Sequence, residues 1–180
     1  MSNKLYLLPL GVFLVLTGFF VYRLVLIEQG NMPKDIPSVM IDKTAPQFNM
    51  LPLLKGKSGL KTADLKGKVT LVSFFASWCV ECLAEHPYLQ KITGHGAVLA
   101  GIDYKDDSVS GQAWLKQHGN PYDVVAVDAN GQTGIDFGVY GVPESYLIDK
   151  QGVIRYKQAG PLSPDVIEGQ LLPLIKELNK

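Results

Sequence analysis

The two cysteines of this 180-residue chain stand two residues apart, in Trp78-Cys79-Val80-Glu81-Cys82. An unbroken apolar run over residues 69–75 precedes them, and a helix-compatible stretch follows them. A strand that continues into a helix through this motif places the first sulfur where free backbone N–H groups point. Their partial positive charge favours the thiolate over the thiol. The motif therefore predicts thiol–disulfide exchange.

Two other interpretations of the cysteine pair are weaker. A purely structural disulfide across so short a loop would constrain the unfolded chain little. A zinc ion could use Cys79, Cys82 and His86, but a structural zinc site needs four ligands, and His95 and His118 are isolated in the sequence. We therefore expect no metal and no cofactor beyond a redox-active Cys79–Cys82 disulfide.

The first 27 residues are predicted to form a membrane anchor. Residues 5–22 contain no charge, and the apolar run continues past Arg23 to Ile27. A helix of this length spans roughly the 30 Å of a bilayer core. The small-residue pattern of a signal peptidase site is missing, which favours an uncleaved anchor. The weak charge bias favours a cytoplasmic N-terminus, so the remaining residues are expected on the other side of the membrane.

The rest of the chain divides into a linker and one domain. Residues 28–39 contain Gly30, Pro33 and Pro37 and are predicted to form the linker. Residues 40–180 have a globular pattern. The 17 basic and 17 acidic residues cancel, which gives no reason to expect nucleic acid as a partner.

Strand and helix patterns alternate through the globular region. Predicted strands cover residues 48–51, a short segment near Leu60, and residues 69–75, 98–103, 124–127, 144–149 and 153–157, the last two as a hairpin. Predicted helices cover residues 79–91, residues 109–118 after a cap at Ser108, and a closing helix that starts at Ser163-Pro164, bends at Pro173 and has an apolar stripe of Ile167, Leu171, Leu174 and Leu178. Asn130-Gly131 is predicted to form a turn. This order indicates an α/β fold with helices on both faces of the sheet.

The sequence resembles a thioredoxin fold in the apolar strand, the Trp-Cys-x-x-Cys motif, Pro87 five residues after Cys82, and Gly141-Val142-Pro143 at the position of the cis-proline loop. More narrowly, it resembles the DsbE/CcmG family, the membrane-anchored thiol:disulfide interchange proteins of cytochrome c maturation. The segments that carry this narrower resemblance are residues 82–86, 104–107, 114–116, 119–122, 137–145 and 152–156.

The resemblance implies a central mixed sheet flanked by helices, and a reductant in the bacterial periplasm that is held by a single-pass anchor in the inner membrane. Such a protein keeps the CxxCH thiols of apocytochrome c available for haem attachment, directly or through another maturation protein. Its electrons come from a membrane thiol reductase of the DsbD type.

We expect Cys79 to be the nucleophile and the more exposed cysteine, and Cys82 to resolve the mixed disulfide. Trp78 precedes the nucleophile and is expected to shield it. The resemblance implies that the Val142–Pro143 bond is cis, that its loop packs against the cysteines, and that the adjacent backbone can pair with a substrate strand.

Three acidic residues are expected to tune the pair: Glu81 between the cysteines, Glu85 after them, and Glu144 after the cis-proline. Nearby carboxylates disfavour a thiolate, and a less stabilised thiolate makes a less oxidising pair. A solvated first-turn role remains open for Glu81 and Glu85. The chain departs from the related pattern at two places. Ser73 replaces the buried aspartate of thioredoxins, and Val80-Glu81 replaces a proline between the cysteines.

The remaining residues are given structural interpretations: His86 at the rim of the helix, Trp114 in the core, and residues 104–107 in a surface loop. Two other functions stay open alongside the reductant. One is an oxidase or isomerase that introduces or rearranges disulfides. The other is a membrane-tethered chaperone that holds apocytochrome c and uses the cysteines only as a hook.

Overall fold

The computed structural model describes residues 8–28 and 39–180, which belong to two separate units. The first unit is a single helix, α1 (Leu8–Glu28). Within the described residues, its segment Leu8–Leu26 is the one helix long and apolar enough to cross a membrane. The first seven residues of the predicted anchor lie outside the described residues, as does the predicted linker over residues 28–39 apart from its two end positions.

Strands and helices alternate through the second unit. The strands are β1 (Asn49–Met50), β2 (Leu60–Lys61), β3 (Val69–Phe75), β4 (Ala97–Tyr104), β5 (Val124–Asp128), β6 (Glu144–Ile148) and β7 (Ile154–Ala159). The helices are α2 (Val80–Leu89), α3 (Ser108–His118), α4 (Gln132–Phe137), α5 (Pro164–Val166) and α6 (Leu172–Leu178), with a π-helical turn over Ile167–Leu171 and 3₁₀ turns over Thr62–Leu65 and Gln90–Ile92.

Five strands form one mixed sheet in the order β5-β4-β3-β6-β7. β3 lies at its centre, parallel to β4 and antiparallel to β6, and all seven of its residues are buried. An apolar strand with both faces covered has this pattern. β6 and β7 form the predicted hairpin. The element order and the sheet together are the thioredoxin-like α/β fold expected from the sequence.

Aromatic side chains on both faces of β3 form much of the core. Phe74 contacts the rings of Phe137 and Tyr146 at centroid distances of 5.4 and 5.9 Å. On the other face, Phe75 stacks on Trp114 at 5.5 Å, and Trp114 is buried as predicted. Aromatic pairs add to the free energy gained by burying the rings. They therefore hold β3 in place, and with it the segment that carries the cysteines.

The start of α3 and the presence of α4 differ from the sequence prediction. The cap of α3 is Asp107 rather than Ser108, because Asp107 Oδ1 accepts the N–H groups of Val109 and Ser110 at 3.0 and 2.9 Å. The sequence predicted the turn at Asn130-Gly131 but not the helix α4 that follows it. A helix of six residues has too few apolar positions to show a 3.6-residue period.

The π-helical turn over Ile167–Leu171 shifts the apolar stripe of the closing helix. The next buried side chain is Ile175, whereas Leu174 and Leu178 of the predicted stripe are only partly buried. Because a π turn holds one residue more than an α turn, every later side chain moves by one position. The turn comes just before Pro173, whose ring nitrogen carries no hydrogen to donate to the helix.

The chain enters the domain at the end of the sheet opposite the cysteines. β6 is antiparallel to β3, so the turn between β6 and β7 lies where β3 begins, far from Cys79. The N–H of Asp42 donates to the carbonyl oxygen of Ile154 at 2.8 Å, and the Asp42 carboxylate pairs with Arg155 at 2.7 Å. These bonds attach the first described residues of the domain to the β6–β7 hairpin.

Candidate active site

Cys79 stands where the chain leaves β3 and begins α2. It is the N-cap residue of α2, and its Sγ accepts the N–H of Cys82 at 3.0 Å. The two sulfurs form a disulfide, and the Cα atoms lie 5.3 Å apart. Cys79 is 6% exposed and Cys82 is 1% exposed. Cys79 is therefore the more accessible residue of the pair, as predicted.

The cis-proline loop lies against the cysteine pair. The Val142–Pro143 bond is cis, as the resemblance implies. The Sγ of Cys79 is 3.5 Å from the carbonyl oxygen of Val142. Pro143 is buried, whereas Val142 is half-buried. The fold thus brings together two segments that are distant in the sequence, with the half-buried Val142 beside the sulfur.

The loop after β4 holds the segment that precedes Cys79. The carboxylate of Asp106 accepts the N–H of Ser77 at 2.6 Å, and the carbonyl oxygen of Lys105 accepts the indole N–H of Trp78 at 3.2 Å. The Trp78 residue is 58% exposed, so its ring lies mostly on the surface next to the nucleophile. Residues 104–107 were predicted as a surface loop, which is wrong for Tyr104, the buried last residue of β4. The contacts of Lys105 and Asp106 with the active-site segment were missed.

Glu85 is buried on α2, three residues after Cys82. Its Oε2 accepts the N–H of Leu162 at 2.8 Å, and its Oε1 has no hydrogen-bond partner among residues 8–28 and 39–180. Burial raises the pKa of Glu85 from 4.5 to about 7, against the opposing effect of the Leu162 hydrogen bond. This carboxyl group can therefore take up and release a proton near neutral pH.

Glu144 is buried, and its charge is balanced by Lys157. The Nζ of Lys157 lies 2.6 Å from Oε1, and the N–H of Tyr140 donates to Oε2 at 3.2 Å. Burial raises the pKa of Glu144, while the ion pair with Lys157 opposes that rise. Lys157 also donates to the carbonyl oxygen of Gly138 at 3.1 Å. The pair therefore ties the cis-proline loop to β7.

Glu81 and His86 lie in contrasting environments. Glu81 is exposed in the first turn of α2, where a negative charge interacts favourably with the helix dipole. The prediction that His86 lies at the rim was wrong, because its ring is buried against Trp114 at 4.5 Å and its Nε2 donates to the carbonyl oxygen of Gly119 at 2.8 Å. Burial lowers the pKa of His86, which favours the neutral ring in this packed position.

Asp103 is a buried carboxyl group that the sequence reasoning missed. It lies at the end of β4 against Gly111 of α3, where any side chain larger than hydrogen would clash with it. Burial, together with the nearby charge of Asp106, raises the pKa of Asp103 to about 8. An acidic residue in an otherwise apolar strand was the one sequence signal that could have found it.

Within the described residues, no group of three or more His, Cys, Asp or Glu side chains could hold a metal ion. The reactive group that the geometry provides is the Cys79–Cys82 disulfide. It has a helix N-terminus on one side and the cis-proline loop on the other.

Comparison with known proteins gives the family. Residues 40–171 match the Redoxin family. The chain is 42% identical over 178 residues to the thiol:disulfide interchange protein DsbE of Pseudomonas aeruginosa, which covers 99% of this chain and 96% of that protein. The chain belongs to the DsbE family. The DsbE protein of Escherichia coli K12 is 38% identical over 182 residues, covering 100% of this chain and 98% of that one.

A solved structure supports the fold. The thioredoxin domain of a thiol-disulfide oxidoreductase from Bacteroides vulgatus matches with a TM-score of 0.65 at 23% identity, covering 77% of this chain and 99% of that one. The DsbE relatives are thiol:disulfide interchange proteins, and this chain has a disulfide in its Cys-x-x-Cys motif. The protein is a thiol:disulfide oxidoreductase that uses a redox-active disulfide.

The buried pair of Glu144 and Lys157 leads to a prediction about stability. Replacing Lys157 by Met leaves a buried carboxylate without its cation, which costs about 3–5 kcal/mol. We expect Lys157→Met to lower the free energy of unfolding by that amount in urea titrations. Adding Glu144→Gln should recover most of the loss. Lys116→Met, on an exposed position of α3, is the matched control and should change little. Equal losses in the single and double variants would contradict this interpretation.

Glu85 leads to a prediction about pH. Its pKa rises from 4.5 to about 7 on folding, so the folded protein keeps a proton that the unfolded chain releases, and stability falls as the pH rises through this range. Glu85→Gln removes the effect. The free energy of unfolding of the oxidised variant should rise relative to the native protein by up to about 3 kcal/mol between about pH 5 and pH 8. Urea unfolding followed by tryptophan fluorescence measures it, and a difference independent of pH would exclude the effect.

Proposed function

We propose that this protein is a membrane-anchored reductant of the bacterial periplasm that acts in cytochrome c maturation. It keeps the CxxCH thiols of apocytochrome c free for haem attachment, directly or through a partner thiol protein, and receives electrons from a DsbD-type membrane thiol reductase. The observation that carries the proposal is the position of Cys79, whose sulfur caps α2 next to the Val142 carbonyl group and is less buried than Cys82.

The cysteine pair reduces a client in two exchange steps. The Cys79 thiolate attacks one sulfur of a client disulfide, forms a mixed disulfide and displaces the other client sulfur as a thiolate. Cys82 then attacks the Sγ of Cys79. The mixed disulfide breaks, the second client sulfur leaves, and the Cys79–Cys82 disulfide forms. Two electrons pass to the client, and the two protons of the cysteine pair balance its two new thiols.

Glu85 is the proposed acceptor of the Cys82 proton. Thioredoxins use a buried aspartate for this step, and Ser73 stands at that position here. Cys82 and Glu85 are three residues apart on α2 and therefore share a face of the helix. A pKa of about 7 for Glu85 suits a general base that works at neutral pH.

The client is proposed to bind beside the cis-proline. An extended client segment can pair with the backbone at Val142 as an added strand, which places its sulfur near Cys79. Trp78 and Tyr140 lie in the two segments that meet at the site and are 58% and 71% exposed. Their rings offer apolar contact area to the client's side chains.

The anchor and location form the second part of the proposal. The apolar helix α1 is long enough to span a bilayer, and the weak charge bias of the sequence favours a cytoplasmic N-terminus. Residues 40–180 then form the periplasmic domain.

Replacement of Cys82 by Ser tests the reaction. The variant can form the mixed disulfide but cannot resolve it, so we expect client proteins linked covalently to Cys79 and no turnover. The linked proteins, identified by mass spectrometry after isolation from cells, should include apocytochrome c or a maturation thiol protein. Cys79→Ser/Cys82→Ser is the control and should trap nothing. Full activity of Cys82→Ser would instead favour a tethered chaperone, and preferential oxidation of reduced clients would favour an oxidase.

Alkylation in cells tests the location. A maleimide that does not cross the inner membrane should label Cys79 of the Cys82→Ser variant in cells with a permeable outer membrane. In a chain without its native cysteines, Ser2→Cys places a thiol before α1 and should be labelled only after lysis. Labelling of Cys79 only after lysis would contradict the proposed topology.

A further inference from the structure

A group of buried hydroxyl groups lies beneath α2, close to Glu85. The side-chain oxygens of Ser73, Tyr122 and Ser145 are all buried, and none makes a hydrogen bond of normal geometry with another described residue. The Oε1 of Glu85 is in the same situation. Buried polar atoms are nearly always paired in folded proteins, so such a concentration requires an explanation.

Strand register places these groups on one face of the sheet. Ser73 on β3 is the cross-strand partner of Ser145 on β6 and of Gly101 on β4. Neighbouring side chains in register point to the same face. Phe75, two residues after Ser73, belongs with Cys79, Cys82 and Tyr122 to one core cluster. The hydroxyl groups therefore line the face of the sheet that α2 covers.

The position of Tyr122 depends on Gly101. A Cβ atom at Gly101 would come within 2.9 Å of the Tyr122 ring, so only glycine lets the ring lie against β4 here. The ring stacks on Phe75 at 5.1 Å, and the Tyr122 N–H donates to Asn120 Oδ1 at 3.0 Å. The phenol group is therefore held from two sides and directed into the buried region.

The ionisable groups around this region are few. Burial is the main cause that raises the pKa of Tyr122, followed by the negative charge of Glu85, while the neighbouring Ser73 hydroxyl opposes the rise and Asp103 on β4 adds a weaker effect. On α2, Cys82 and the buried ring of His86 are the other groups near Glu85. The Tyr122 hydroxyl is thus a protonated donor beside Ser73, and the negative charge of Glu85 acts on it. Among the described residues, no group donates to the Oε1 of Glu85.

We propose that Tyr122, supported by Ser73, positions Glu85 for the transfer of the Cys82 proton. When Glu85 is ionised, the Tyr122 hydroxyl donates a hydrogen bond to its Oε1. When Glu85 takes the proton from Cys82, the S–H bond breaks, an O–H bond forms, and the Tyr122 hydroxyl turns to Ser73. This inference rests on the proposed role of Glu85 as the base of the resolving step.

Loss of the Tyr122 hydroxyl changes the pH dependence of the resolving step in one direction. Tyr122→Phe removes a donor to the ionised carboxylate, so the pKa of Glu85 must rise. The base is then available only at higher pH. The resolving step should therefore reach half of its limiting rate about one pH unit higher than in the native protein, with the limiting rate at high pH nearly unchanged.

The reaction of the reduced full-length protein in detergent with a dithiobis-nitrobenzoate reagent measures this step. Attack by Cys79 releases one coloured thiolate, and attack by Cys82 on the resulting mixed disulfide releases the second. We expect Tyr122→Phe to shift the pH midpoint of the second phase upward and to leave the first phase unchanged. Tyr156→Phe, which removes a tyrosine hydroxyl that donates to Gln158 on β7, is the matched control and should keep the native midpoint.

Two further variants separate the possible outcomes. Ser73→Ala should shift the midpoint in the same direction by a smaller amount, and it serves if Tyr122→Phe is too unstable. Glu85→Gln should abolish the midpoint. If Glu85→Gln leaves the profile unchanged, Glu85 is not the base, and both the proton role and this inference are wrong. If Glu85→Gln removes the midpoint but Tyr122→Phe and Ser73→Ala leave it in place, only the inference is overturned.

Discussion

The position of Cys79 at the start of α2 is the constraint on which the rest of the site depends. β3 is buried along its whole length between β4 and β6, so the point where the chain leaves the sheet is fixed. At that point the sulfur accepts the N–H of Cys82 and lies in the positive field of the helix N-terminus. The loop that carries Asp106 holds Ser77, two residues before Cys79, and the cis-proline loop lies against the sulfur from the other side.

The three glutamates near the cysteines show how environment gives one residue type different properties. Glu81 is exposed, Glu85 is buried with no ion pair to any residue that the structure describes, and Glu144 is buried beside Lys157. Burial raises the pKa of Glu85 to about 7, whereas the ion pair with Lys157 opposes the rise in the pKa of Glu144. That all three tune the cysteine pair stays a prediction.

Local patterns were enough to predict the elements that carry the site. An apolar strand, a helix that starts at Cys79, and a hairpin each depend on residues close together in the sequence. The contacts that define the chemistry of the acidic groups could not be predicted in this way. The pairing of Glu144 with Lys157 depends on the register of β6 and β7. The burial of His86, and the approach of Tyr122 to Ser73, depend on how α2 and the segment before β5 pack on the sheet.

The attachment of Asp42 to the β6–β7 hairpin has a mechanical consequence. A force applied to the chain before the domain acts on the hairpin, because Asp42 is bonded to the Ile154 backbone and paired with Arg155. This force acts at the end of the domain opposite Cys79 and is not transmitted through the segment that contains the sulfur. If α1 anchors the protein, as proposed, a pull on the domain acts on the hairpin and leaves the geometry around Cys79 undisturbed.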